Sequence, residues 1–123
     1  MLVKHLQHRL SAEEIFAINP KIRWAGLASR RGRVIFIQMR DGLQSHTPDS
    51  HDKLTVEVRA QYIIETVEQE AVWGGEVQHV AIVFEKFVEL IIPLKSAYAV
   101  ITVEKDLQPD SYPAICRGIR ELE

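Results

Sequence analysis

The chain has 123 residues with a formal net charge of -2 at pH 7, and 46% of them are hydrophobic while 26% are charged. This length and balance fit one globular domain, residues 1–123, and exclude a disordered chain. Because there is no excess of basic residues and no apolar run long enough to span a bilayer, we predict neither nucleic-acid binding nor membrane insertion.

The first predicted elements are helical. Apolar residues recur at helical spacing within residues 1–10, which predicts an N-terminal helical extension. Ser11, followed three residues later by Glu14, is typical of a capping box, in which each side chain accepts a hydrogen bond from the other residue's backbone N–H. This pattern predicts a short helix over residues 12–18, which Pro20 cannot continue.

A β-hairpin is predicted next. Residues 22–28 and 33–39 are apolar and rich in residues that favour strands, and residues 29–32 connect them with a glycine where positive φ is needed. Residues 40–53 contain glycine, proline and several short polar residues, which predicts a loop.

Residues 54–73 change to a helical period and are predicted to form the longest helix, which Gly74 and Gly75 end. The predicted apolar face consists of Val56, Ala60, Ile63, Val67 and Ala71. The predicted polar face consists of Glu57, Gln61, Glu65, Glu68 and Gln69.

Three β-rich runs follow, over residues 77–84, 87–94 and 98–104. The links between them are short enough only for hairpins, so these strands are predicted to form an antiparallel meander. Apolar residues 90–92 favour a strand covered on both faces, and the proline that follows favours an end to pairing there.

A closing helix is predicted after the turn at residues 108–111, with Pro113 in its first turn and an apolar stripe at Ile115, Ile119 and Leu122. The element order is α-β-β-α-β-β-β-α. It predicts an α+β fold, in which helices flank a five-stranded antiparallel sheet.

This order resembles that of roadblock (LC7-like) and longin domains, and more distantly that of profilin, across residues 11–122. The resemblance is carried by residues 22–28 and 32–35, since roadblock domains open with a similar apolar strand, glycine-bearing turn and second strand. The chain also resembles a set of small archaeal proteins that share an Ile-Arg-x-Ala-Gly strand and a later Pro-Leu pair, here residues 22–26 and 93–94. Roadblock domains usually lack catalytic residues and act as dimeric platforms for small GTPases, so the resemblance implies protein interaction rather than catalysis.

The loop around two histidines is the richest cluster of potential metal ligands. His46 and His51, with Asp49 and Asp52, offer nitrogen and oxygen donors that zinc accepts. Their spacing matches no recognised ligand pattern, and a solvated loop ending in a Ser50 or Asp52 N-cap explains the same residues. We therefore predict no metal and no cofactor.

Isolated reactive side chains do not indicate an active site. His79, in a predicted strand, is expected to be a partly buried, hydrogen-bonded residue, because a catalytic base needs a substrate within reach. Cys116 is expected to be a small buried apolar side chain, and as the single cysteine it favours a reducing cytoplasm. The arginines of residues 30–33 suit either contact with a phosphate or an acidic partner or simple solvation. The sequence contains no glycine-rich phosphate loop, and we predict that the protein is not an enzyme.

Three aromatic residues define an alternative function. Trp24 and Phe36, on facing strands of the hairpin, and Trp73, at the end of the long helix, could line a ligand pocket between the sheet and that helix. Aromatic residues at such positions are also ordinary members of a core. The alternative to an interaction module is thus a small-molecule-sensing domain.

The open sheet favours self-association. In a roadblock-like order the strand over residues 77–84 is an edge, and an apolar edge strand without proline favours pairing with a second copy or a related domain. We therefore predict a homodimeric regulatory module with a protein partner such as a small GTPase. The predicted interface consists of Val77, Gln78, His79 and Val80 from the edge strand and Gln61, Glu65, Glu68 and Gln69 from the long helix.

Overall fold

A computed structural model describes residues 10–44 and 48–123 of the chain. The predicted extension over residues 1–10 therefore falls outside the described residues except for Leu10, which is buried in the core. The helices are α1 (Ala12–Phe16), α2 (Asp49–Tyr62), α3 (Ala71–Gly74) and α4 (Tyr112–Glu121). The strands are β1 (Ile22–Ser29), β2 (Val34–Met39), β3 (Val80–Val83), β4 (Phe87–Pro93) and β5 (Ala97–Glu104).

All five strands form one antiparallel sheet in the order β2-β1-β5-β4-β3. The first hairpin joins the C-terminal meander through β1 and β5, where Ala25 lies opposite Ile101. The predicted α+β fold with a five-stranded antiparallel sheet is confirmed. The strand after the long helix is an edge, as predicted, and β2 forms the other edge.

The sheet has a core on each face. On one face, α1 and α4 cover a large cluster that includes Leu27, Leu90 and Ile101. On the other face, α2 covers a smaller cluster that includes Trp24 and Val100. Successive strand residues point to opposite faces, so the continuous apolar run in β4 supplies both clusters and is buried throughout, as predicted.

The short helix α1 begins with the predicted capping box. Ser11 Oγ accepts from the Glu14 backbone N–H at 3.2 Å, and Glu14 Oε1 accepts from the Ser11 backbone N–H at 2.9 Å. The helix ends at Phe16, two residues before the predicted end at Ile18.

The long helical segment (residues 49–74) begins earlier than predicted. Pro48 is the N-cap residue, with extended backbone, and its carbonyl accepts from the backbone N–H groups of His51 and Asp52 at 3.0 and 3.1 Å. The prediction of a loop over residues 40–53 is therefore wrong from Asp49 onward, where α2 begins. The predicted N-cap at Ser50 or Asp52 is wrong as well, because both residues lie inside the helix. Proline has the right φ for a helix start, and short polar residues suit a first turn as well as a loop.

The segment also changes its hydrogen-bond pattern. After α2 come a π-helical turn (Ile63–Val67), a 3-10 turn (Glu68–Glu70) and α3. The Thr66 hydroxyl donates to the Tyr62 carbonyl, which would otherwise accept an α-helical N–H, and such a bond disturbs a regular helix. Among the described residues, no helix has the length and apolar character needed to cross a membrane.

The β1–β2 turn contains the predicted glycine at a position of positive φ. Gly32 has a φ of 81° and its N–H donates to the Ser29 carbonyl at 2.9 Å. The strand β3 is shorter than the predicted run over residues 77–84, because pairing with β4 begins only at Val80, opposite Ile91. In α4, Pro113 lies in the first turn, as predicted.

Candidate interaction surface

The β3 edge is short, apolar and open. Among the described residues, β3 pairs only with β4, so no strand lies along its outer side. Val80 and Ile82 point toward the core beneath α2, whereas Ala81 and Val83 are exposed, Val83 at 66%. An exposed strand edge of this kind is a template for another strand.

A second apolar surface runs along α2. Leu54, Val58 and Tyr62 are 56%, 48% and 51% exposed and recur every four residues, so they lie on one side of the helix. They differ from Val56 and Ala60, which are fully buried against the sheet. The predicted interface omitted this stripe, although the four-residue repeat outside the predicted apolar face is a signal visible in the sequence.

A cleft of about 240 Å³ lies between the N-terminal half of α2 and the sheet. Its apolar walls include Trp24, Met39, Phe84 and Phe87, and the last two rings lie 5.1 Å apart between centroids. Thr55, one residue after Leu54 of the exposed stripe, also lines this cleft. The cleft also reaches Phe84, the residue that follows β3.

A buried ion pair fixes one wall of the cleft. Arg59 Nε donates to Glu89 Oε2 at 2.5 Å, and Arg59 Nη2 lies 3.5 Å from Glu89 Oε1. Glu89 is only 4% exposed, and a buried carboxylate that loses its cation is strongly destabilising. The pair therefore ties α2 to β4 beside the open edge.

The opposite side of the long helical segment contacts the first hairpin. Gln61 Nε2 donates to the Arg31 carbonyl at 3.2 Å. Glu68 accepts from Arg30 Nη1 at 3.0 Å and from the Tyr98 hydroxyl at 2.5 Å. Gln61 and Glu68 thus face the β1–β2 turn rather than the β3 edge. The arginine-rich turn at residues 30–33 is therefore only partly solvated, since Arg30 folds back onto the domain.

The residues before β3 lie in a second cleft, between the hairpin tip and the end of α4. Val77 and Gln78 line it together with Arg120, whose Nη2 atom is buried and has no hydrogen-bond partner among the described residues. Burial lowers the pKa of His79, and the positive charge of Arg120 lowers it further. The structure thus places the predicted interface residues in separate surroundings. Val80 lies in β3, and Val77, Gln78 and His79 precede that strand. Glu65 and Gln69 are exposed on the long helical segment, whereas Gln61 and Glu68 contact the hairpin.

The three aromatic residues predicted to share a ligand pocket lie apart. Trp24 belongs to the core beneath α2 and lines the 240 Å³ cleft. Phe36 packs against the core on the other face of the sheet, because its side chain points the opposite way from that of Trp24. Trp73 is 85% exposed.

The histidine-rich loop and Cys116 are the other candidate sites in the sequence. His46 lies outside the described residues, and His51 is exposed in the first turn of α2, at the rim of the cleft. Within residues 10–44 and 48–123, no three histidine, cysteine or acidic side chains form a group suited to a metal ion. Cys116 is buried in the core covered by α4, as expected for a small apolar side chain.

The comparisons with known proteins bear on the fold. The sequence matches no protein-family model and no curated protein. Among solved structures, the chain is similar to the gliding protein MglB from Thermus thermophilus, with a TM-score of 0.64, 12% identity and 93% of each chain covered. It is similar to a roadblock/LC7 domain from Streptomyces avermitilis, with a TM-score of 0.63 and 15% identity over 89% of this chain and 86% of that one. It is also similar to a profilin from Schizosaccharomyces pombe, with a TM-score of 0.60 and 13% identity over 89% of this chain and 90% of that one. The chain therefore has the roadblock/LC7 fold.

Proposed function

We propose that this domain is a non-enzymatic regulatory module that forms a homodimer and presents a platform to a protein partner such as a small GTPase. The observation that carries the proposal is the open β3 edge beside the exposed stripe of α2. A solved structure of similar fold, MglB, is described with a tetrameric arrangement, which agrees with self-association through this fold.

The edge and the stripe suit a two-fold interface. Antiparallel pairing of β3 with its own copy is self-complementary, since the same backbone groups meet in both directions. Such pairing would extend the two sheets into one and bring the two α2 helices side by side above it. Leu54, Val58 and Tyr62 would then lose water-exposed apolar surface, the main favourable term in association.

This interface is narrower than the one predicted from sequence. It keeps Val80 and the exposed Glu65 and Gln69, and it adds the α2 stripe and Val83. It omits Gln61 and Glu68, whose side chains already bind the hairpin, and it omits Val77, Gln78 and His79, which precede β3.

The first test is the mass in solution, measured by light scattering after size exclusion over a wide concentration range. We expect a dimer near twice 14.1 kDa. The double substitution Val58→Glu and Val83→Lys should give a folded monomer, because both side chains are exposed and would place charge in the interface. A matched control is Leu43→Glu, which changes an exposed apolar residue after β2, at the opposite edge of the sheet. A double variant that remains dimeric would contradict this interface.

A partner is tested next, with purified small GTPases from the same genome, loaded in turn with GDP and with a non-hydrolysable GTP analogue. We expect the wild-type dimer to bind one nucleotide state more tightly than the other. A dimer that binds none of them in either state would contradict the GTPase part of the proposal and leave the dimer intact.

The 240 Å³ cleft favours a second candidate function, the sensing of a small molecule between the sheet and the long helix. It offers apolar walls with Arg23, Arg59 and Glu89 as polar groups that could orient a ligand. A ligand that binds the folded state must raise its thermal stability. A broad metabolite panel without any such rise would count against this function.

A further inference from the structure

Trp73 is an exposed aromatic residue at the C-terminal end of the long helical segment. It is 85% exposed, and its neighbour Val72 is 82% exposed. Contiguous exposed apolar side chains of this size are typical of a contact with another molecule, and tryptophan is enriched among the central residues that contribute most to such contacts.

The cleft at the other end of the same segment has the right size and lining for this side chain. A cavity of about 150 Å³ holds a benzene ring, so a cleft of about 240 Å³ has room for the two fused rings of an indole. Phe84, Phe87 and Trp24 supply aromatic walls, which suit edge-to-face contacts with an indole.

Two-fold symmetry relates the two features. An axis beside the middle of residues 49–74, next to the exposed Tyr62, sets two such segments antiparallel. Residues equally far from the middle then face each other across the axis. Trp73 of one copy accordingly meets the first turn of α2 in the other copy, where His51 and Asp52 border the cleft.

The charges of the segment favour the antiparallel arrangement. Residues 61–74 contain three glutamates and no lysine, arginine or histidine, a net charge of -3. Residues 49–60 contain two positive residues, Lys53 and Arg59, against three acidic ones, a net charge of -1 with His51 neutral. An antiparallel pair therefore sets the half of charge -3 beside the half of charge -1 that carries Lys53, whereas a parallel pair would set the two halves of charge -3 side by side.

We propose that Trp73 of each copy inserts into the cleft between α2 and the sheet of a second copy, so that two identical contacts fix the register of the dimer. This contact rests on the proposed homodimer and specifies how the two copies recognise each other. It also gives the cleft an occupant from the protein itself.

The test compares dimer dissociation constants, measured by sedimentation over a dilution series. Trp73→Ala is expected to weaken the dimer at least about 30-fold, the smallest effect typical of a central interface residue. Trp73→Phe keeps an aromatic ring and should recover much of the affinity. Leu43→Ala, at an exposed apolar residue outside the segment, should leave the dissociation constant unchanged. Circular dichroism checks that each variant stays folded. We expect that they do, because the side chain of residue 73 is exposed and contributes little to the core.

A second measurement follows the indole directly. The wild-type spectrum minus the spectrum of Trp73→Phe, both recorded as dimers, isolates the emission of Trp73, which should be blue-shifted in the dimer and shift to the red as dilution separates the copies. If Trp73→Ala leaves the dissociation constant unchanged, or if Trp73 in the dimer emits as an exposed indole does, the inserted contact is contradicted. Either result leaves the proposed homodimer standing. A wild-type chain that is monomeric at every concentration contradicts the proposed homodimer and this contact together.

Discussion

Arg30 is a residue of the first hairpin turn that binds groups from three other parts of the domain. Its guanidinium lies 4.5 Å from the centre of the Tyr98 ring, donates to Glu68, and donates through Nη2 to the Leu94 carbonyl. Burial alone would lower the pKa of Arg30, but its hydrogen bonds with Glu68 and Tyr98 raise it on balance. The turn is thus held to the long helical segment and to the β4–β5 connection by one side chain.

Replacing Arg30 should destabilise the domain. Arg30→Met keeps the aliphatic stem but leaves Glu68 and the Leu94 carbonyl without this donor, so the free energy of unfolding should fall by about 1–3 kcal/mol. The lower half of that range is expected because the pair is partly exposed. Urea unfolding measures the change, and Arg31→Met, at the exposed neighbouring residue, is the control with an expected change under about 0.5 kcal/mol.

Cys116 should be chemically inert in the folded protein. The residue is 1% exposed, and burial raises the pKa of its thiol from 9.0 to about 11, so the reactive thiolate is scarce at pH 8. We expect no reaction with a chromogenic disulfide reagent at pH 8 until the protein is unfolded. Because the pKa is higher in the folded state, the thiol also makes the free energy of unfolding fall as the pH rises above about 9.

A matched variant tests the interpretation of Cys116. Cys116→Ser with Ala114→Cys moves the thiol two residues along α4 to an exposed position, where it should react at once. Rapid labelling of native Cys116 would show that α4 does not shield it.

At the scale of elements, Gly26 sets the distance between β1 and α2. A Cβ atom at Gly26 would lie 2.5 Å from Val56 Cγ2 and 2.9 Å from Trp24 Cη2, so a larger residue would push the helix from the sheet. The same helix presents the exposed stripe and one wall of the cleft, so this glycine also positions the candidate surface.

Gly26→Ala should lower the free energy of unfolding by about 1–3 kcal/mol, as expected for added volume in a close contact. Adding Val56→Ala removes the methyl group that clashes, so the double variant should lose less stability than the sum of the two single variants. Gly74→Ala makes the same change in open helical surroundings and should raise stability by about 0.4–1 kcal/mol. Strict additivity of the two core substitutions would contradict the close approach.

Elements defined by local chemistry could be predicted closely from the sequence. The Ser11 capping box and the glycine of the β1–β2 turn depend on residues three or four apart, and both are found where predicted. The start of α2 and the start of β3 could not be predicted as well. Short polar residues near Pro48 suit a loop and a first helical turn equally, and β3 begins only where β4 provides a partner at Val80.

The candidate surface depends on the whole fold, which explains why its residues were harder to predict. The helical repeat shows that Gln61 and Glu68 lie away from the buried face. Only the position of the hairpin shows that both side chains form hydrogen bonds with its turn. Likewise Trp24 and Phe36 look like neighbours along the hairpin, and the alternation of the strands sends them to opposite faces of the sheet.

Coupling between association and folding gives a test on the whole molecule. If two copies bury the α2 stripe and the β3 edge together, the folded state gains stability with protein concentration by mass action. A hundredfold increase in concentration supplies about 2.7 kcal/mol per dimer, which should raise the unfolding temperature by several degrees. The variant carrying Val58→Glu and Val83→Lys should unfold at a temperature independent of concentration. Calorimetry of both proteins over that concentration range measures their unfolding temperatures. A wild-type unfolding temperature that stays constant would mean that folding and association are not linked.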